Sequence, residues 1–140
     1  MTYATQTSLE DAFGVKEILQ IADRDVNGAV DATALAAVLA RADSVIDSYL
    51  VGRYALPLVA PYPPMIVGTA CDLARYWIFD DAAPEEVRKR YEFAMAWLKD
   101  VASGKAVLSL PLATAEASAL GSPEFSAPPR VFDATTLARF

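Results

Sequence analysis

The clearest hydrophobic pattern begins at Ala32. From there to about Arg53, Leu35, Val38, Leu39, Ala42, Ile46, Tyr49 and Leu50 recur at spacings of three and four, which places them on one face of an α-helix. Arg41, Asp43, Ser44, Asp47 and Ser48 are assigned to its other faces. Gly52 and the run ALPLVAPYPP end this helix. Pro57, Pro61, Pro63 and Pro64 are too dense for a helix interior and predict a stiff, extended connection. Pro64 then suits a first helical turn. MIVGTACDLARYWIFDD reads as a helix apolar nearly all round, with Ile66, Ala70, Leu73, Ala74, Trp77 and Ile78 marking it as the central helix. Pro84 and the pair Glu85–Glu86 open a last long helix, because a helix N-terminus favours negative charge. Its inward face is Val87, Tyr91, Ala94, Met95, Leu98 and Val101, and Gly104 is a suitable C-cap. Upstream, TSLEDAFG predicts a short helix capped by Thr7 or Ser8 and stopped at Gly14. VKEILQIA follows, with Val15, Ile18, Leu19 and Ile21 as its apolar set, giving two short helices or one broken at Gly14.

After Leu110 the character changes. PLATAEASALGSPEFSAPP is rich in Ala, Ser, Pro and Gly and has no sustained period, the composition of a flexible or extended tail. Yet the chain ends RVFDATTLARF, and apolar residues after such a linker predict a segment that docks on its own chain or on a partner. Arg130, Val131, Phe132, Leu137 and Phe140 are therefore the candidate partner-binding residues. Only AVLSL (106–110) hints at a strand. The fold class expected is all-α: a small bundle of about four helices over 1–110, and an extended C-terminal arm over 111–140.

Composition narrows the function classes. At 140 residues and 54% hydrophobic, one domain with a substantial core is expected. The net charge is -6, and the densest basic cluster, Arg88–Lys89–Arg90, is flanked by Glu85, Glu86 and Glu92. No basic stripe for phosphates results, so sequence-specific nucleic-acid binding is not expected. There is no histidine, which removes the commonest general base and the commonest ligand of transition metals. The single cysteine, Cys71, excludes an internal disulfide; its apolar surroundings read as core. No basic region precedes an apolar run at the N-terminus, and no uncharged stretch reaches membrane-spanning length, so no signal peptide and no membrane partner are expected.

One stretch carries candidate metal chemistry. In DRDVNGAVDATAL, Asp23, Asp25 and Asn27 match ligand positions one, three and five of a calcium loop, Gly28 the turn glycine, Val30 the aliphatic position and Asp31 position nine. Position twelve calls for a bidentate Glu and is Ala34, which removes two oxygens and one charge. A second reading uses the same residues without an ion: Asp and Asn before Gly form side-chain turns, and Asp31 caps the following helix. On the first reading Asp23, Asp25, Asn27 and Asp31 hold calcium weakly and the chain is a calcium-binding helical interaction module. On the second there is no cofactor.

Other constellations are weaker. Asp80 and Asp81 are adjacent and diverge on a helix, whereas acid–base work needs carboxylates facing one gap. Asp72 and Arg75 stand three apart and are expected to pair within their helix or across a subunit interface. Tyr91, Phe93 and Trp97 have the spacing of core aromatics. Without histidine there is no Ser–His arrangement, and no glycine-rich phosphate loop occurs, so no enzyme and no catalytic residue is expected.

The ordered set DRD…G…D, IDSYLVGRYALPL and ARY…DD…PEEVRKRYE, with a terminal RVFDATTLARF, resembles a family of Mu-like phage and prophage virion proteins once classed as a domain of unknown function. These look like head–tail connector, or adaptor, proteins of tailed phages. The resemblance implies a structural protein made in the host cytoplasm and located in the virion neck. It also implies a homo-oligomeric ring on the portal protein, with neighbouring copies at its sides and the next neck or tail-terminator protein beyond. An acidic surface suits a channel that passes DNA without gripping phosphates.

Overall fold

The computed structural model describes residues 2–23, 26, 28–79 and 82–110. These contain five α-helices and no β-strand: α1 Gln6–Phe13, α2 Val15–Ala22, α3 Ala32–Leu50, α4 Pro64–Phe79 and α5 Glu85–Ser103. The 111–140 arm, and with it Arg130, Val131, Phe132, Leu137 and Phe140, lies outside the described residues, as do Asp25, Asn27, Asp80 and Asp81.

The N-terminal piece is two helices sharing one glycine. Gly14 has φ 93°, a conformation strained for any residue with a Cβ. Its N–H closes α1 on the Glu10 carbonyl at 2.8 Å, and its own carbonyl accepts the Ile18 N–H at 3.2 Å to begin α2. The cap of α1 is Thr5, not Thr7 or Ser8. The Thr5 hydroxyl accepts the Ser8 N–H at 3.2 Å, and the Ser8 hydroxyl accepts the Thr5 N–H at 3.3 Å. Ser8 thus fills the third helical position of a reciprocal capping box, a role usually held by Glu or Gln.

The longer helices begin on the expected residues, and α5 also ends on the expected Gly104. Asp31 caps α3, its Oδ1 accepting the N–H groups of Thr33 and Ala34 at 3.0 Å each. The helix closes at Leu50 and passes through a turn to Arg53. Pro64 is the first residue of α4, and Pro84 is the N-cap of α5. Gly104 ends α5 in the left-handed region (φ 87°, ψ 5°), and a Cβ there would collide with the Arg53 guanidinium.

Helix α4 packs against α1, α2, α3 and α5, as its all-round apolarity requires. Leu9, Ile18, Ile46, Leu50, Ile66, Leu73, Leu98 and Val101 have no exposed surface and form one core across all five helices. Each contributes roughly 1.5–3 kcal/mol by leaving water. Cys71 belongs to this core. Burial, with the negative charge of Asp72 beside it, pushes its thiol up to about 11. Three further assignments differ from the sequence expectation. Asp43 is buried rather than on an outer face of α3. Phe93 is 67% exposed on α5 rather than in the core. AVLSL is not a strand. That segment folds back on the bundle: the Ala106 N–H reaches the Asp100 carbonyl at 3.1 Å, and the buried Leu108 donates its N–H to the Tyr54 hydroxyl at 2.9 Å.

Candidate functional site

Two hydrogen bonds tie described residues of the Asp23–Asp31 loop. An Asp23 carboxylate oxygen accepts the Gly28 N–H at 2.8 Å, and the Asp31 N–H reaches back to the Ala22 carbonyl at 2.9 Å. With the Asp31 cap, both described aspartates serve backbone amides, which is what the turn-and-cap reading requires. Among the described residues no group of three or more His, Cys, Asp or Glu side chains converges on a point that could hold an ion. Asp25 and Asn27 are outside that description.

Charged residues elsewhere brace the bundle. Asp72 and Arg75 do not pair with each other; each reaches a different helix of the same chain. Arg75 donates from Nε to Glu17 Oε1 of α2 at 2.7 Å, with a second guanidinium nitrogen 2.5 Å from the same oxygen. Its guanidinium lies 4.3 Å from the centre of the Phe13 ring. Asp72 faces Arg90 of α5 at 3.5 Å. Burial raises the Asp72 carboxyl above the usual carboxylate range, against the opposing pull of Arg90 and Arg75. The reason is geometric: α4 is surrounded, so its polar side chains meet neighbouring helices before each other. Lys89 is taken by Glu85 at 2.7 Å, so two of the three residues in the basic cluster face carboxylates. Tyr91 stacks on Tyr76, centroids 4.1 Å apart, and meets Trp77 edge-on. Arg41 lies 4.3 Å from the Trp77 ring centre.

The N-terminal segment is also fixed. Tyr3 is buried against α3: its N–H donates to Asp43 at 3.0 Å, and its hydroxyl donates to Asp47. Its ring meets Tyr62 edge-on, with centroids 5.1 Å apart. The Tyr3 hydroxyl is pushed well above the usual tyrosine range, first by burial and then by Asp47. Burial likewise raises the Asp43 carboxyl, opposed by the Tyr3 N–H and reinforced by Asp47.

Beside Tyr62 runs an apolar groove of about 720 Å³, lined by Pro61 through Met65 on one side and Val107 through Leu110 on the other. Met65 is 47% exposed and Val107 72% exposed at its edges. The described residues end in this wall, at Leu110. Periodicity could not reveal the groove, because neither wall is a helix face over its length. The available signal was compositional: a proline-dense run and a short apolar run, each just outside a helix.

The comparisons with known proteins agree with this architecture in extent. The family model described as Bacteriophage Mu, Gp36 matches residues 3–127. The Mu-like prophage FluMu protein gp36 of Haemophilus influenzae is 35% identical over 108 residues, covering 77% of this chain and 76% of that protein. Gene product J of Escherichia phage Mu is 29% identical over 107 residues, covering 75% and 74%. The match takes in all five helices and the groove they support, and the chain belongs to the bacteriophage Mu Gp36 family of phage proteins.

Proposed function

We propose that this chain is a structural virion protein, a head–tail connector that forms a ring on the portal in the neck of a tailed phage. Membership of the Mu Gp36 family carries the reading. The architecture supports it. Helix α4 packs against the other four helices around one core, with an ion pair to α2, giving the compact unit that a repeated building block requires. Apolar side chains stand outside that unit at Val51, Val59, Phe93 and Val107, where neighbouring copies or partners could cover them. The net charge of -6 suits a wall around passing DNA.

On this proposal the bundle supplies the ring and residues 130–140 supply the contact with the portal. Deleting Arg130 to Phe140 is expected to abolish co-sedimentation with the portal protein while leaving helicity, read by far-UV circular dichroism, unchanged. Undiminished portal binding by the shortened chain would remove the arm from the mechanism.

A further inference from the structure

We propose that Phe93 of one copy seats in the groove between Pro61–Met65 and Val107–Leu110 of the next, so that neighbouring copies of this chain meet head to tail. The inference rests on reading the chain as a ring subunit, and it names the contact by which one copy holds the next.

Both halves of the contact are on the surface of one molecule. Phe93 is the one exposed aromatic ring among the described residues, at 67%. A water-facing aromatic ring is the side chain most often found as the anchor of a protein interface. The groove is apolar, and its volume of about 720 Å³ falls within the roughly 300–1,000 Å³ typical of pockets that bury a guest. It lies at the end of the bundle where α3 and α5 finish and α4 starts, since Arg53 Nη1 donates to the Val101 carbonyl and the Leu108 N–H to the Tyr54 hydroxyl. Four of the exposed large apolar side chains, Val51, Val59, Met65 and Val107, belong to the same end.

Phe93 does not reach its own groove. Ten residues of α5 separate it from Ser103, a rise of about 15 Å, and the groove wall starts beyond that. The partner surface is therefore a different patch on another copy. A contact between two unlike patches repeats around a ring or along a filament, whereas a pairing of like patches closes as a dimer.

Charge sets the register. On α5, Lys89 and Arg90 stand one turn before Phe93 on the same side, and both are more than half exposed. Lys89 lies about 6 Å from Phe93 along the helix axis. Beside the groove, the Tyr62 ring meets Tyr3, whose hydroxyl donates to Asp47. Asp47 is half-buried, and among the described residues it faces no cation, so its negative charge stands one tyrosine ring beyond the groove wall. With Phe93 in the groove, the basic turn of one copy comes to the acidic side of the next. The exposed Lys89–Glu85 pair holds Lys89 only weakly against this exchange.

Mixed-copy crosslinking tests the contact. One preparation of the full chain carries Ala96→Cys, exposed one turn after Phe93; the other carries Ser109→Cys, exposed in the groove wall. The native Cys71 is buried and does not react. The two are mixed and treated with a short thiol crosslinker, as the chain alone at high concentration and again with portal protein. The expected product in both is the 96–109 heterodimer, in excess over 96–96 and 109–109. Adding Phe93→Asp to the Ala96→Cys copies lowers its yield at least about tenfold, the loss of an anchor residue. Lys89→Glu also lowers it, and both variants change exposed side chains and are checked for native helicity. Equal yields of the three products, or a 96–109 yield that Phe93→Asp leaves intact, would overturn the proposal. A multi-copy complex on the portal without the 96–109 product would overturn this contact and leave the ring standing. The 96–109 product without any portal complex would uphold the contact and remove the connector role.

Discussion

Replacing Tyr54 by Phe tests how the segment that forms one groove wall is held. Tyr54 is 1% exposed, and its hydroxyl accepts the N–H of Leu108, 54 residues further along. The substitution keeps the ring, so it opens no cavity in the core. It removes only the acceptor, leaving the Leu108 amide buried without a partner, which costs about 1–3 kcal/mol. The segment can avoid that cost only by lifting Leu108 into water. Losing the burial of a leucine side chain costs roughly 1.5–3 kcal/mol, so both routes lead to the same range. At about 2–4 °C per kcal/mol for a chain of this size, Tm falls by about 2–12 °C. Calorimetry gives the shift, and hydrogen exchange at the Leu108 amide locates it: protection there falls more than at Leu73 or Leu98 in the core. A Tm within about 1 °C of wild type, with Leu108 protection intact, would show that the Tyr54 hydroxyl does not hold this wall.

Four further outcomes check other parts of the account. Glu17→Gln removes the charge facing Arg75, whose side chain is only 12% exposed; the loss is about 1–3 kcal/mol by urea unfolding, below the range for a fully buried pair because Glu17 is partly solvated. Asp43→Asn keeps an acceptor for the Tyr3 N–H and removes a carboxylate that burial disfavours. Because the folded-state pKa of Asp43 is raised, its stabilising contribution is complete below the ordinary aspartate value of about 3.9 and is lost as pH rises through the folded value. Wild type should therefore gain more Tm than the variant when pH is lowered from neutral into that window, and equal gains would contradict the burial argument. Asp31→Ala removes the α3 cap and costs about 0.5–2 kcal/mol. Titration calorimetry with calcium should give no saturable heat for wild type, and saturable heat lost in Asp23→Ala would instead support the calcium-module reading.

Legibility followed the physics of each feature. Helices α3, α4 and α5 were readable because their apolar periodicity runs over many turns and their ends carry unambiguous residues: Asp31, Pro64, Pro84 and Gly104. The α1 cap was misplaced because Thr5, Thr7 and Ser8 can all cap, and choosing among them depends on where Tyr3 is anchored. Helical periodicity of the apolar residues alone leaves Asp43 on an outer face of α3. Its position nevertheless falls in the 39–43–46–50 register of buried Leu39, Ile46 and Leu50. What admits a carboxylate there is the N–H of Tyr3, 40 residues away. Asp72 and Arg75 have the spacing of an intrahelical pair, but in a helix covered on several sides the nearest opposite charges, Arg90 and Glu17, belong to other helices. The groove depends on two non-helical segments meeting in space, and no local pattern encodes that meeting.

The central claim is that this bundle is a ring subunit organised by the portal. Measuring the mass of the 140-residue chain alone and then with portal protein tests it most directly. The account predicts a monomer or weakly associated species alone, and a discrete multi-copy complex once portal is added. A chain that stays unassociated in the presence of assembled portal would contradict the connector role.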